Sequence, residues 1–80
     1  RIEAGGLLRR GSRGEEVREL QLFLNEHGYL DAQGGALVTD GVFGPRTEHA
    51  LRTFQRDQGI REDGVVGPQT MGKVNMTNLM

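Results

Sequence analysis

Eighty residues make one domain, and at that length folding buries only about 60% of the unfolded surface, so stability is marginal and locally paired helices suit the chain best. The absence of cysteine excludes a disulfide framework and a thiolate zinc site, and it leaves the redox compartment open. Ten basic and eleven acidic residues give a net charge of -1, which offers no overall attraction to nucleic acid or an anionic membrane, and no apolar run approaches the roughly 18 residues of a membrane span.

The chain starts with Arg1 rather than Met, and the expectation is a domain cut from something longer. Residues 1–6 read as a flexible lead-in, and Leu7 and Leu8 are expected to pack on the folded body. Gly11-Ser12-Arg13-Gly14 breaks the chain, and Ser12 or Gly14 is the expected cap of a first helix. Glu15, Glu16 and Glu19 then occupy the turns where a helix dipole favours anions. Val17, Leu20, Phe23 and Leu24 recur at spacings of three and four and mark the buried stripe. Gly28 stops this helix, and Tyr29 and Leu30 fold back on its last turn. A long loop follows from residue 31 to 41, with a very short strand expected at 36–39 and either Leu37 or Val38 pointing inward.

The loop delivers the chain into Asp40-Gly41-Val42-Phe43-Gly44-Pro45-Arg46-Thr47, and nearly the same segment returns as Asp63-Gly64-Val65-Val66-Gly67-Pro68-Gln69-Thr70. Six of the eight positions are identical and a seventh is apolar in both, so one small unit is used twice. Asp-Gly makes a tight turn in which Gly can take positive φ and Asp can accept from nearby backbone N–H groups. The apolar pair plugs a core, and Gly-Pro starts a helix because Pro at its first position loses no hydrogen bond. The second helix is expected from Pro45 to about Gln58, burying Thr47, Ala50, Leu51, Phe54 and Gln58 along one face. Gly59 ends it and Ile60 re-enters the core. A short third helix starts at Pro68 and buries Met71 and Val74, and residues 75–80 read as a loosely docked tail. The fold class is all-α: three helices joined by long Gly-rich loops, with at most a very short strand pair.

Little here can do chemistry. His27 and His49 lack metal-ligand spacing, and the stretch 31–42 resembles a calcium loop only until Gln33, Gly35 and Val42 stand where oxygen ligands are needed. No activated nucleophile or acid/base pair is visible, so neither catalysis nor a metal or cofactor is expected. Arg46, Arg52, Arg56 and Arg61 interleave with Glu48, Asp57, Glu62 and Asp63, the pattern of a solvated mixed-charge face. The two Asp-Gly turns either only start helices or also converge to present backbone N–H groups to a carboxylate.

The ordered set Leu8-x-x-Gly11-x-x-Gly14-x-x-Val17-x-x-Leu20-Gln21-x-x-Leu24-x-x-x-Gly28-Tyr29, Asp40-Gly41-x-Phe43-Gly44-x-x-Thr47-x-x-Ala50-Leu51-x-x-Phe54-Gln55 and Asp63-Gly64-x-Val66-Gly67-Pro68-x-Thr70 resembles the peptidoglycan-binding domain of bacterial and phage cell-wall hydrolases, over residues 7–74. The resemblance implies a three-helix fold, no catalysis within the module, non-covalent binding to peptidoglycan and a catalytic domain elsewhere in the same parent chain. It implies a place in the periplasm or cell wall, reached by secretion, injection or phage release. The chain departs from the family pattern in its third helix, where Gly72 and Val74 replace a small residue and Leu, and in the length of the loop from Asp31 to Thr39.

Sugar recognition exploits flat aromatic faces, but there is no Trp, Phe23 and Phe54 fall on buried stripes, and only Tyr29 and Phe43 remain as candidate platforms. A stem peptide instead offers carboxylates and amides, and it is favoured over the glycan strand. The expected site is a groove between the starts of helices two and three, lined by Asp40, Arg46, Thr47, Gln55, Asp63 and Thr70, with Tyr29 or Phe43 as floor. The module is expected to be monomeric, without nucleic-acid or membrane partners. A docking or inhibitory module for another protein is the alternative. Helix-turn-helix DNA binding is disfavoured because the third helix presents only Lys73 and Gln69 as polar readers.

Overall fold

The computed structural model describes residues 7–78, so the lead-in at 1–6 lies outside the described residues, as do Leu79 and Met80. Its helices are α1 (Glu15–Glu26), α2 (Pro45–Asp57) and α3 (Pro68–Asn78). Helix α1 is capped by Gly14 without a side-chain hydrogen bond, and Glu15 and Glu16 supply the negative charge its first turn favours. Ser12 serves the preceding turn instead, its hydroxyl accepting from the Arg9 N–H at 3.0 Å. At the other end the Tyr29 N–H reaches back to the Leu24 carbonyl at 2.8 Å, and Ile60 does the same to Gln55 at 3.1 Å at the end of α2. Helix α3 runs through residues 75–78, where periodicity alone suggested a loose tail; Asn75 and Met76 are exposed there, so no apolar stripe announces that turn.

The core is built from the expected stripes: Val17, Leu20, Phe23 and Leu24 from α1, Ala50, Leu51 and Phe54 from α2, and Met71 and Val74 from α3. Phe54 is its centre, with the rings of Phe23 and Tyr29 both meeting it edge-on at 5.3 Å. Leu37 turns inward and Val38 outward, but no strand forms at 36–39. Of each apolar pair only the second member plugs the core: Phe43 and Val66 are about 1% exposed, while Val42 is 39% exposed and Val65 half-buried. Leu8 is likewise buried, whereas Leu7 is 55% exposed.

A strap of irregular chain ties the two repeated turns together. Leu8 exchanges both backbone hydrogen bonds with Val66, at 2.8 and 3.3 Å. The same strand-like segment then donates from Gly11 to the Phe43 carbonyl, accepts from Phe43 at Ser12, and donates from Gly14 to Gly41, all at 2.9–3.0 Å. These pairings form isolated bridges, Leu8 with Val66 and Arg13 with Val42, rather than a sheet. They satisfy the buried polar backbone of both plugs, which a helix-only fold would leave orphaned.

Candidate functional site

Each Asp-Gly turn is held by a buried glutamine from the preceding helix. Gln21 of α1 donates from Nε2 to the Val42 carbonyl and the Thr47 hydroxyl, each at 3.0 Å, and to Asp40 Oδ1 at 3.3 Å. Its Oε1 accepts from the Gly41 N–H at 2.9 Å. Gln55 of α2 repeats the arrangement on the second unit, with Nε2 to Asp63 Oδ1, the Val65 carbonyl and Thr70 Oγ1 at 3.0 Å, and Oε1 accepting from Gly64 at 2.9 Å. Each aspartate also accepts from the N–H two residues on, Val42 or Val65, at 3.0 Å. Gln21 and Gln55 are about 1% exposed or less, so their amides are desolvated and must be satisfied within the networks, whose aspartates reach the surface.

This places Thr47, Gln55, Asp63 and Thr70, all expected to line a groove, inside turn-holding networks. Gln21 is the residue that sequence reasoning missed. The signal was present, since Val17-x-x-Leu20-Gln21 and Leu51-x-x-Phe54-Gln55 place the same amide after the same apolar spacing. Phe43 is core rather than floor, and Tyr29 is half-buried against Phe54. Burial pushes the Tyr29 phenol above its ordinary value, and the neighbouring Asp57 carboxylate adds to the shift.

The groove at the first unit is lined by no residue of the second. Nineteen residues separate Gln21 from Asp40 but only eight separate Gln55 from Asp63, and the extra chain of the first unit folds over the start of α2. There it encloses a groove of about 530 Å³, whose loop wall includes Gln33, Leu37 and Val38 and whose other wall is the start of α2 from Gly44 to His49. The loop is a built feature. Asn25 clamps it with two hydrogen bonds, accepting from the Leu37 N–H at 2.8 Å and donating to the Leu37 carbonyl at 2.9 Å. Asp31 closes its tip by accepting from Gln33 and Gly35 at 2.9 and 2.7 Å, a local turn rather than a cation site.

Of the expected residues, Asp40, Arg46 and Thr47 meet at this groove, and His49 joins them from α2. Asp40 is exposed, and its carboxyl is held below the usual carboxylate range by the Val42 N–H and then by the Gln21 amide, so it is ionised at neutral pH. Arg46 makes no hydrogen bond or ion pair among the described residues. Two other charges of α2 are paired: Glu48 with Arg10 at 3.1 Å, and Arg56 with Glu62 through two nitrogens at 2.9 and 3.2 Å. His27 stacks near Phe23 and donates from Nδ1 to its carbonyl at 2.9 Å, away from the groove. Among the described residues no group of three His, Asp or Glu side chains is gathered as for a metal.

Residues 13–74 match the family described as "Putative peptidoglycan binding domain". The chain is 44% identical over 69 residues to the zinc D-Ala-D-Ala carboxypeptidase of Streptomyces albus G, covering 86% of this chain and 26% of that enzyme. Its fold superposes on the crystal structure of the SleB N-terminal domain with a TM-score of 0.84 at 34% identity, over 96% of this chain and 97% of that one. A Burkholderia AP3 phage endolysin is similar at a TM-score of 0.75 and 33% identity, over 86% of this chain but 24% of the endolysin. The chain thus spans about a quarter of the carboxypeptidase and of the endolysin, and a whole solved domain of SleB. With the ordered motifs, the three helices and the family match in agreement, this chain belongs to the peptidoglycan-binding domain family.

Proposed function

We propose that this chain is a non-catalytic targeting module that holds a linked cell-wall hydrolase against bacterial peptidoglycan outside the cytoplasm, by binding the stem peptide rather than the glycan strand. The observation that carries the choice of peptide is the disposition of aromatic rings. Of the three Phe and one Tyr, none is exposed: Phe23, Phe43 and Phe54 are core and Tyr29 packs edge-on against Phe54, so no flat face is offered to a sugar. The groove at the start of α2 instead offers a cation, a carboxylate and an apolar wall, which suit the charged ends, amides and small side chains of a peptide.

Co-sedimentation with purified sacculi tests the module. The expected result is a domain that pellets with sacculi at low salt, and one that stays in the supernatant would overturn the reading. Arg46→Ala separates the groove from the rest of the surface, because Arg46 stabilises nothing else. The melting temperature should be unchanged while binding weakens by about 1.5 to 3 kcal/mol, the range for a hydrogen bond to a charged group. A full-strength Arg46→Ala variant would place binding on another face.

A further inference from the structure

We infer that the groove is selective for a zwitterionic amino-acid end, meaning one carbon that bears both an ammonium and a carboxylate, as at the free side-chain end of a diamino-diacid residue in a peptide. This rests on the stem-peptide reading above and names the chemical group within it. Three observations point there. First, Arg46 and Asp40 line the same groove with opposite charges yet form no ion pair with each other, so a ligand can meet both. A ligand bearing only a carboxylate would leave the ionised Asp40 facing it, and one bearing only an ammonium would face Arg46; the ligand that satisfies both carries both charges.

Second, the molecule contains its own control. The second unit reproduces the turn, the glutamine clamp and the helix start, yet it carries Gln69 where the first has Arg46 and Gly72 where the first has His49. Asp63 is therefore a turn residue whose own unit carries no arginine at the helix start, the cation near its turn being Arg52 of the preceding helix, whereas Asp40 performs the same turn duty with Arg46 added at the helix start. Since Arg46 and Gln69 are both exposed and neither supports the fold, the arginine is explained by what enters the groove. Third, beside Gln33 and His49 the rest of the lining includes an apolar stretch of Leu37, Val38, Val42 and Pro45, which fits the methylene chain that carries such an end away from the peptide. Arg46 meets the carboxylate with parallel N–H groups, and Asp40 accepts from the ammonium.

The test uses three soluble tripeptides of equal length with amidated C-termini, titrated by calorimetry into the domain as it stands. One carries the zwitterionic side-chain end, one the ammonium alone and one the carboxylate alone. The expected result is that the first binds about tenfold more tightly than either of the others, the factor that corresponds to one charge-assisted bond. Arg46→Gln, which installs the second unit's residue, should erase the preference over the ammonium-only peptide. Asp40→Asn, which keeps an acceptor for the Val42 N–H, should erase the preference over the carboxylate-only peptide. Sacculi co-sedimentation in parallel keeps the two ideas apart. Binding to sacculi with equal or no affinity for the three peptides overturns this inference and leaves the targeting function standing. Selective peptide binding without sacculi binding supports the inference and overturns the targeting function, and failure of both overturns both.

Discussion

Gly41 and Gly64 hold equivalent places in the repeat, at φ 73° and 71°, but they are not equivalent in their surroundings. A Cβ on Gly41 would lie 2.9 Å from the backbone oxygen of Gly14, which belongs to the strap and cannot swing aside. A Cβ on Gly64 would meet the side chains of Glu48 and Arg52 at 3.0 to 3.2 Å, and these can rotate away. Both replacements suffer positive-φ strain, on the order of 1 to 3 kcal/mol. Gly41→Ala should therefore cost clearly more than Gly64→Ala in urea melts; equal losses would mean that the strap yields. Asp40 adds a pH dependence at the same turn. Because its folded-state pKa is below the unfolded value, the folded state binds fewer protons in that interval, so its contribution is present above about pH 4 and is lost as pH falls further. Glu62, lowered by Arg56, has the same sign. Acid melts of Asp40→Asn should thus show a shallower decline than wild type, without abolishing it.

Among the elements, the loop from 31 to 39 distinguishes the first unit from the second, and its position depends on one side chain. Asn25 sits on α1 and makes both of the hydrogen bonds that fix the Leu37 backbone. Removing it leaves that backbone to water, at a cost of roughly 1 to 2 kcal/mol, and releases one wall of the groove. Asn25→Ala should accordingly lower the melting point modestly and reduce sacculi binding by a larger factor. A variant that melts lower yet binds at full strength would show that the loop wall contributes nothing. Helix α2 has the opposite character. Its buried face serves the core through Ala50, Leu51 and Phe54, its first turn presents Arg46 and His49 to the groove, and Gln55 near its end clamps the next unit.

At the scale of the whole molecule, two helix-plus-turn units share one core, and the strap at residues 8–14 bonds to both turns. Phe54 joins α1 and α2 to that core, and it is completely buried with two aromatic neighbours. Phe54→Ala should cost about 3 to 5 kcal/mol. An 80-residue domain has roughly 4 to 12 kcal/mol to lose, so much of its stability goes with that one ring. Circular-dichroism melts measure this directly, and an unshifted midpoint would refute the proposed core.

What the sequence determined by itself was everything decided by local terms. Helix starts at Pro45 and Pro68, the end of α1 before Gly28, the periodic stripes and the turn-forming glycines all follow from bonds and clashes within a few residues. The family was legible for the same reason, since its motifs are these local devices in fixed order. Which polar residues serve the fold and which face outward was decided only by tertiary structure. Thr47, Asp63 and Thr70 carry the same chemistry whether they line a groove or answer a glutamine, and the choice rests on Gln21 and Gln55 reaching partners 8 to 26 residues away. Phe43 reads as a possible platform until the strap covers its backbone from more than thirty residues upstream. The repeat suggested two equal turns sharing one groove, whereas the groove at the first turn takes no lining residue from the second. Eleven additional residues between Gln21 and Asp40 have no counterpart between Gln55 and Asp63, and only a clamp at Leu37, set by packing between distant segments, folds them into a wall.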